Sequence, residues 1–289
     1  MVRAARNVVS KESAAVTATV RSSNGFLRDA AAAVSLSWRI FRRTIGAKYR
    51  KSFLGYFWMI APALLITGGV SLARNAGVGI GADGGSTLPP GLWVFLGTLL
   101  WQVFSEAVEV PHQAFENARS YLTRVHFSRA AIVLSQLHES VLTTAVRLLA
   151  ALALVAVAGR LDALAVLLVP IGFLGAVLLG LGCGCFLLPL TQLFADVQQT
   201  LKLLLGYGLF LTPAVYQPRP HTWFATIVYC NPVSPLIDAV RQAAAGAPLA
   251  QPLLFTAMLV LGVALTAAGL LLVRAVAPIL IERMLLGGR

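Results

Sequence analysis

The stretch "GAKYRKSFLGYFWMIAPALL", residues 46–65, passes within a few positions from a cationic run, Lys48, Arg50 and Lys51, to an uncharged segment rich in aromatic rings. A chain needs so sharp a step where water gives way to hydrocarbon. The composition agrees: 58% of the 289 residues are hydrophobic and 12% charged, with a mean hydropathy of +0.79. That leaves too little polar material to cover a water-facing globule. The net charge of +12 raises nucleic acid as a partner, but Lys and Arg cluster at the ends of apolar segments and form no basic face elsewhere, so no nucleic acid is expected. Cys183, Cys185 and Cys230 are an odd set in apolar surroundings, which argues against a disulfide framework.

A hydrocarbon core of about 30 Å is crossed by about 20 residues of helix, and each crossing must satisfy its own backbone because lipid offers no partners. Six stretches qualify: 54–73, 91–110, 131–158, 164–190, 200–216 and 252–273. The expected fold is all-α, a polytopic membrane protein with six transmembrane helices. Direction follows from charge. The first 53 residues hold 11 of the 23 Lys and Arg, and Arg119, Arg124 and Arg129 follow the second span. The opposite connections hold only Arg74, Arg160, Arg219 and Arg241. Carrying one Lys or Arg across the membrane centre costs about 2.5–3.5 kcal/mol, so the cation-rich side is expected to be cytoplasmic, with both termini there. Residues 1–25, polar and without an apolar h-region, read as a disordered cytoplasmic tail, residues 26–53 as an amphipathic interface and gate helix, and 54–289 as the six-span domain.

Three segments outside the spans carry more information. In 34–49, Val34, Trp38, Phe41, Ile45 and Tyr49 share a helical face while Arg39, Arg43 and Arg50 lie away from it, the pattern of a helix lying in the membrane surface. It serves either as an anchor on anionic lipid or as a cuff that also meets a cytoplasmic partner. In 112–129, Phe115, Ala118, Leu122 and Val125 repeat at helical spacing, so a short cytoplasmic helix fixed to two spans is expected. Residues 217–250 hold two apolar pieces too short to span, "TWFATIVYC" and "VSPLIDAVRQAAA", separated by Asn231 and Pro232; half-inserted, re-entrant helices fit best.

Chemistry-bearing residues are few. His138, Glu139 and Arg147 fall within the third span and either pair with headgroups or neighbouring helices or form a proton relay. "GLGCGC" supplies either a soft-metal pair, Cys183 and Cys185, or small residues, Gly180 and Gly184, for close helix approach. Asp238 and Arg241, three apart, suit a local pair. The string "GIGADG", 79–84, matches G-x-G-x-x-G by letters but has no strand before it and is read as chance. Tyr56, Phe57, Trp58, Trp93, Phe95, Trp101 and Phe104 crowd the first two spans, where they either anchor at the interface or offer faces on which sugar rings stack.

The order of "KYRKSFLGYFW" entering span one, a basic helix after span two, Asp196 after span four, "LTPAVY" closing span five and "NPVSPLIDAVR" beyond it resembles the membrane subunits of ABC-2 type exporters. Within them it looks most like permeases for lipid-linked polysaccharides such as O-antigen, capsule or teichoic acid. The resemblance covers residues 38–282. It implies a cytoplasmic gate at Tyr49, Arg50, Ser52, Leu54 and Gly55. It implies an ATPase-coupling helix over 112–129 with Phe115, Glu116, Arg119, Leu122 and Arg124, and outer re-entrant helices with Asn231, Pro232 and Arg241. Tyr56, Phe57, Trp101 and Phe104 are the aromatics expected to line a glycan conduit.

A multi-pass protein of the bacterial inner (cytoplasmic) membrane is thereby implied, working as a homodimer with two copies of a cytoplasmic ABC ATPase and surrounded by membrane lipids. The sequence has no G-x-x-x-x-G-K-[ST] phosphate loop. No cofactor is expected on this chain, with ATP and Mg on the partner, and no catalysis or metal site of its own. Two other readings stand beside it: an ion-coupled secondary transporter using His138, Glu139 and Arg147, and an ABC-2 exporter of small lipids or drugs.

Overall fold

The computed structural model describes residues 34–48, 55–77, 87–122, 129–218 and 222–286. The expected tail 1–25, the gate residues Tyr49, Arg50, Ser52 and Leu54, the string 79–84 and Arg124 lie outside them, as do the side chains of Arg119 and Leu122. Within them the chain is helical, with no strand among the described residues.

Helix α1 (34–48) is amphipathic: Ser37, Phe41 and Ile45, one helical turn apart, are buried, while Arg39, Arg42 and Arg43 are exposed. Trp38, expected on the covered face, stays half exposed. A 3-10 turn, Gly55–Met59, leads into α2 (Ala61–Asn75), whose first turn holds Pro62. Gly55 starts that turn at φ +50°, a conformation that glycine adopts without a Cβ penalty.

Helices α3 (Pro90–Leu122), α4 (Arg129–Val157), α5 (Ala163–Leu193) and α9 (Pro252–Leu286) follow. These four are, among the described residues, long and apolar enough to cross a membrane. The other two expected spans are shorter pieces. Helix α2 has 15 residues, about 22 Å at 1.5 Å per residue. The fifth begins earlier than expected as α6 (Ala195–Tyr207), tightens into a 3-10 turn at Gly208–Leu211 and ends in turns. The coupling segment also differs from expectation: α3 runs unbroken through residues 112–122, with Pro111 accommodated inside it, so this segment prolongs the second span.

Caps place the remaining breaks. Asp162 Oδ1 accepts from Ala165 N at 2.8 Å to start α5, and Thr222 Oγ1 accepts from Ala225 N at 3.2 Å to start α7 (Trp223–Cys230). Asn231 Oδ1 then accepts from Val233 N at 3.0 Å, and Ser234 Oγ donates back to Val228 O at 2.6 Å. This turn carries the chain into α8 (Ser234–Ala244), with Pro235 in its first turn. The two short helices and the break between them fall where the sequence puts them.

Helix α5 sits between α3, α8 and α9. Its glycines make that possible: a Cβ on Gly184 would stand 2.2 Å from Val108 O of α3, and one on Gly182 would stand 2.6 Å from Leu265 Cβ of α9. The packing reading of "GLGCGC" therefore accounts for these positions; Cys185 is buried and Cys183 partly so. Of the spanning windows, 78% of α3 is buried but only 11% of α9, whose Leu253, Val260 and Leu271 point outward at 65–80% exposure. Apolar side chains so exposed along a 25-residue span suit a hydrocarbon surrounding.

Candidate functional site

Three clusters of polar side chains interrupt the apolar packing. At the Pro90 end of α3, Arg241 of α8 is buried with its guanidinium 3.3 Å from the ring centroid of Trp93. Its Nε donates to Trp93 O at 3.0 Å, Nη1 to Pro213 O at 2.6 Å and Nη2 to Ala214 O at 2.7 Å. Asp238 stands 3.9 Å away and is 39% exposed. The expected local pair is thus the looser part of the arrangement. Arg241 chiefly pins α8 to α3 and to the turn after α6, and a planar fork of donors suits three converging carbonyls. Burial pushes the Asp238 carboxyl up, with Arg241 pulling it down by less. These residues border a cavity of about 550 Å³ that also meets Thr87, Tyr229 and Gln242. Asn231 caps the preceding turn and Pro232 lies within it.

Midway along the bundle, Arg147 of α4 is 4% exposed and pairs through Nη2 with Glu106 of α3. Its Nε donates to Met59 O at 3.0 Å, the last residue of the 3-10 turn. That turn presents Tyr56, Phe57 and Trp58 at 51%, 46% and 55% exposure. Trp101 and Phe104, expected beside them in a conduit wall, are at 7% and 9%. Trp101 donates Nε1–H to Leu205 O at 3.1 Å, lies against Gly208 and meets Phe104 at 5.4 Å between centroids. Both belong to the packing of α3 on the fifth segment, a burial that their aromatic character alone does not distinguish from a lining role. Of the four, Tyr56 and Phe57 are the two whose rings are exposed.

At the far end of α3, Lys48 of α1 meets Glu139 of α4 at 2.7 Å, and the His138 ring lies 5.7 and 5.8 Å from Trp38 and Phe41. Gln136 of α4 donates to Gln113 and accepts from Asn117, while Gln198 of α6 donates to Glu116. Phe115 is half-buried there and Glu116 exposed. All three ionisable groups of the third span are therefore engaged with neighbouring helices. The sequence points to headgroups, neighbouring helices or a proton relay without naming a partner; Lys48, 91 residues from Glu139, and Glu106, 41 from Arg147, are what the fold supplies. Among the described residues no group of three His, Cys, Asp or Glu is placed to hold a metal ion.

No curated protein matches the chain. The family model for the ABC-2 type transporter matches residues 35–244, from α1 through α8, which is well over half of the chain, and the protein belongs to that family.

Proposed function

We infer that this chain is the permease of an ATP-driven exporter that moves a lipid-linked polysaccharide outward across a bacterial inner membrane. Membership of the ABC-2 family makes it the membrane subunit of an ABC transporter, paired with an ABC ATPase, and that match is the observation that carries the reading. ATP and Mg belong to the partner, two copies of which serve a permease homodimer. The cation-rich α1 end faces the cytoplasm, and the end of α3 with Arg119 and Leu122, together with Arg124 beyond it in the sequence, transmits the ATPase stroke.

The cargo assignment rests on the 3-10 turn. Three exposed aromatic rings directly after the gate residues 49–55 offer faces that suit the C–H side of a sugar, each contact weak enough to be repeated along a sliding polymer. The Arg241 end, with Asn231 and Pro232, forms the exit. Purification of the tagged chain from its host, followed by glycan analysis of a deletion strain, tests this. The expected result is co-purification of the neighbouring ATPase and loss of one surface polysaccharide. A strain with unchanged surface glycans and altered lipid or drug efflux would overturn the cargo assignment.

A further inference from the structure

Between residues 101 and 117 of α3, every position that is not buried is polar, Phe115 apart. Gln102, Ser105, Glu106, Glu109, Gln113 and Glu116 follow one another in steps of one to four residues and share one helical face. Yet residues Pro90–Asn117 form a stretch long and apolar enough to cross a membrane. Carboxylates on such a helix are stable only against protein or water. Protein covers them in part: Glu106 is 44% exposed beside Arg147, Glu109 accepts from Gln113, and Glu116 is held by Gln198.

A second observation points the same way. Arg147 Nη1, Gln102 Oε1 and Ser105 Oγ are buried atoms that find no hydrogen-bond partner among the described residues. His112, 4% exposed, turns Nδ1 to Val108 O at 3.1 Å and leaves Nε2 equally without one. His112 borders a cavity of about 150 Å³ together with Glu109, Gln113, Glu116 and Lys202. Buried polar atoms that protein does not satisfy are satisfied by water or by a ligand.

We propose that this stripe is the wetted wall of the translocation path and that it favours an uncharged, hydroxyl-rich chain over an anionic one. Carboxylate and amide oxygens accept from sugar hydroxyls, and the glutamine amides donate in return. The cation of the pair lies behind the anion: the Arg147 side chain is 5% exposed and that of Glu106 44%. Along this stripe a cargo therefore meets Glu106, Glu109 and Glu116, and the cation that borders the same cavity is the exposed Lys202 at the α6 end. Repeats bearing phosphate or carboxylate are repelled along that length. This deepens the glycan-export reading and rests on it.

The test uses the whole transporter, permease with its ATPase, in nanodiscs carrying Cys230→Ser, with labelling counted above that parent. Glu109→Cys and Gln113→Cys should react with a cationic, membrane-impermeant methanethiosulfonate, and lipid-facing Leu149→Cys should not. A neutral dextran oligosaccharide at about ten times its dissociation constant should slow labelling about tenfold, and a dextran sulfate of equal length should leave it unchanged. Absence of labelling at both positions overturns the wetted wall. Protection by the sulfated chain as strong as by the neutral one overturns the selectivity and leaves glycan export standing. Protection by neither overturns the inference, while surface glycans lost in the deletion strain would still uphold the export reading.

Discussion

Arg147 reaches across from α4 to the carbonyl of Met59 at 3.0 Å, and so ties the third span to the turn that displays Tyr56, Phe57 and Trp58. The same guanidinium holds Glu106 of α3. Removing it leaves a carboxylate and a carbonyl without their donor, and losing one partner of a buried pair costs about 3 kcal/mol. Arg147→Ala should therefore lower the unfolding midpoint of the purified complex clearly. Glu106→Gln keeps an acceptor for the guanidinium but removes the counter-ion of a buried Arg147, and should cost less, about 2 kcal/mol. Equal losses in the two variants would show that the pair does not organise the turn.

At the opposite end, Arg241→Lys should be nearly as damaging as Arg241→Ala. A single ammonium cannot serve the carbonyls of Trp93, Pro213 and Ala214 together while stacking on the Trp93 ring, and the loss should be about 3 kcal/mol. Asp238→Asn should behave oppositely. Burial raises the folded-state Asp238 pKa, so the stability this group contributes is present when it is protonated and is lost as the pH rises through that value. The Asn variant, which does not ionise, should match the parent at low pH and equal or exceed it at pH 7. Thermal melts at both pH values check the sign.

How much of this was legible beforehand follows from the range of each interaction. The α7–α8 break at Asn231 and Pro232 is set by local turn chemistry and lies where the sequence puts it. So do Phe41 and Ile45, since the buried face of an amphipathic helix is a matter of periodicity. In the sequence the fifth span is one apolar run from 200, but its backbone tightens at Gly208, where a Cβ would stand 2.5 Å from Trp101, a residue 107 positions earlier. The partners of Arg241 are backbone carbonyls 27, 28 and 148 residues away, for which side-chain spacing carries no signal. The polar stripe on α3 was readable in principle, since its period is helical; the apolar residues between its members hid it.

Glycine substitutions separate close packing from helix propensity. Gly184→Ala on α5 would drive a Cβ against the backbone of Val108, and Gly180→Ala one against Phe104 O at 2.5 Å. Backbone cannot step aside, so both should lower the melting temperature and the yield of folded protein. Gly206→Ala on α6 has nothing within 4 Å of the new methyl and should be neutral or stabilising, by up to about 1 kcal/mol from helix propensity. A destabilised Gly206→Ala would mean that a second subunit covers this face.

Charge reversal at Arg119 or Arg124 should separate ATP hydrolysis from export. Residues 112–122 continue α3 without a break, so a push delivered there enters the spanning helix directly rather than through a flexible joint. Transporters with the reversed permease should assemble in the membrane and hydrolyse ATP on the partner ATPase but export little glycan. Normal coupling in both would remove this end of α3 as the ATPase contact.

The aromatic residues give the sharpest division between structure and transport. Trp101 is 93% covered, bonded to Leu205 O and in contact with Gly208, so Trp101→Ala opens a cavity between α3 and the fifth segment, at a cost of about 3–5 kcal/mol. Its export defect should scale with the loss of folded protein. Tyr56 and Phe57 are half exposed on a turn held from behind by Arg147, so truncating them removes contact surface without opening the core. Tyr56→Ala and Phe57→Ala should therefore melt within about 1 kcal/mol of the parent, yet slow glycan export per folded transporter. If either export rate per folded transporter stays at the parental value, that ring does not touch the cargo. A slowing confined to Trp101→Ala after correction for folded protein would move the conduit to the α3–α6 contact.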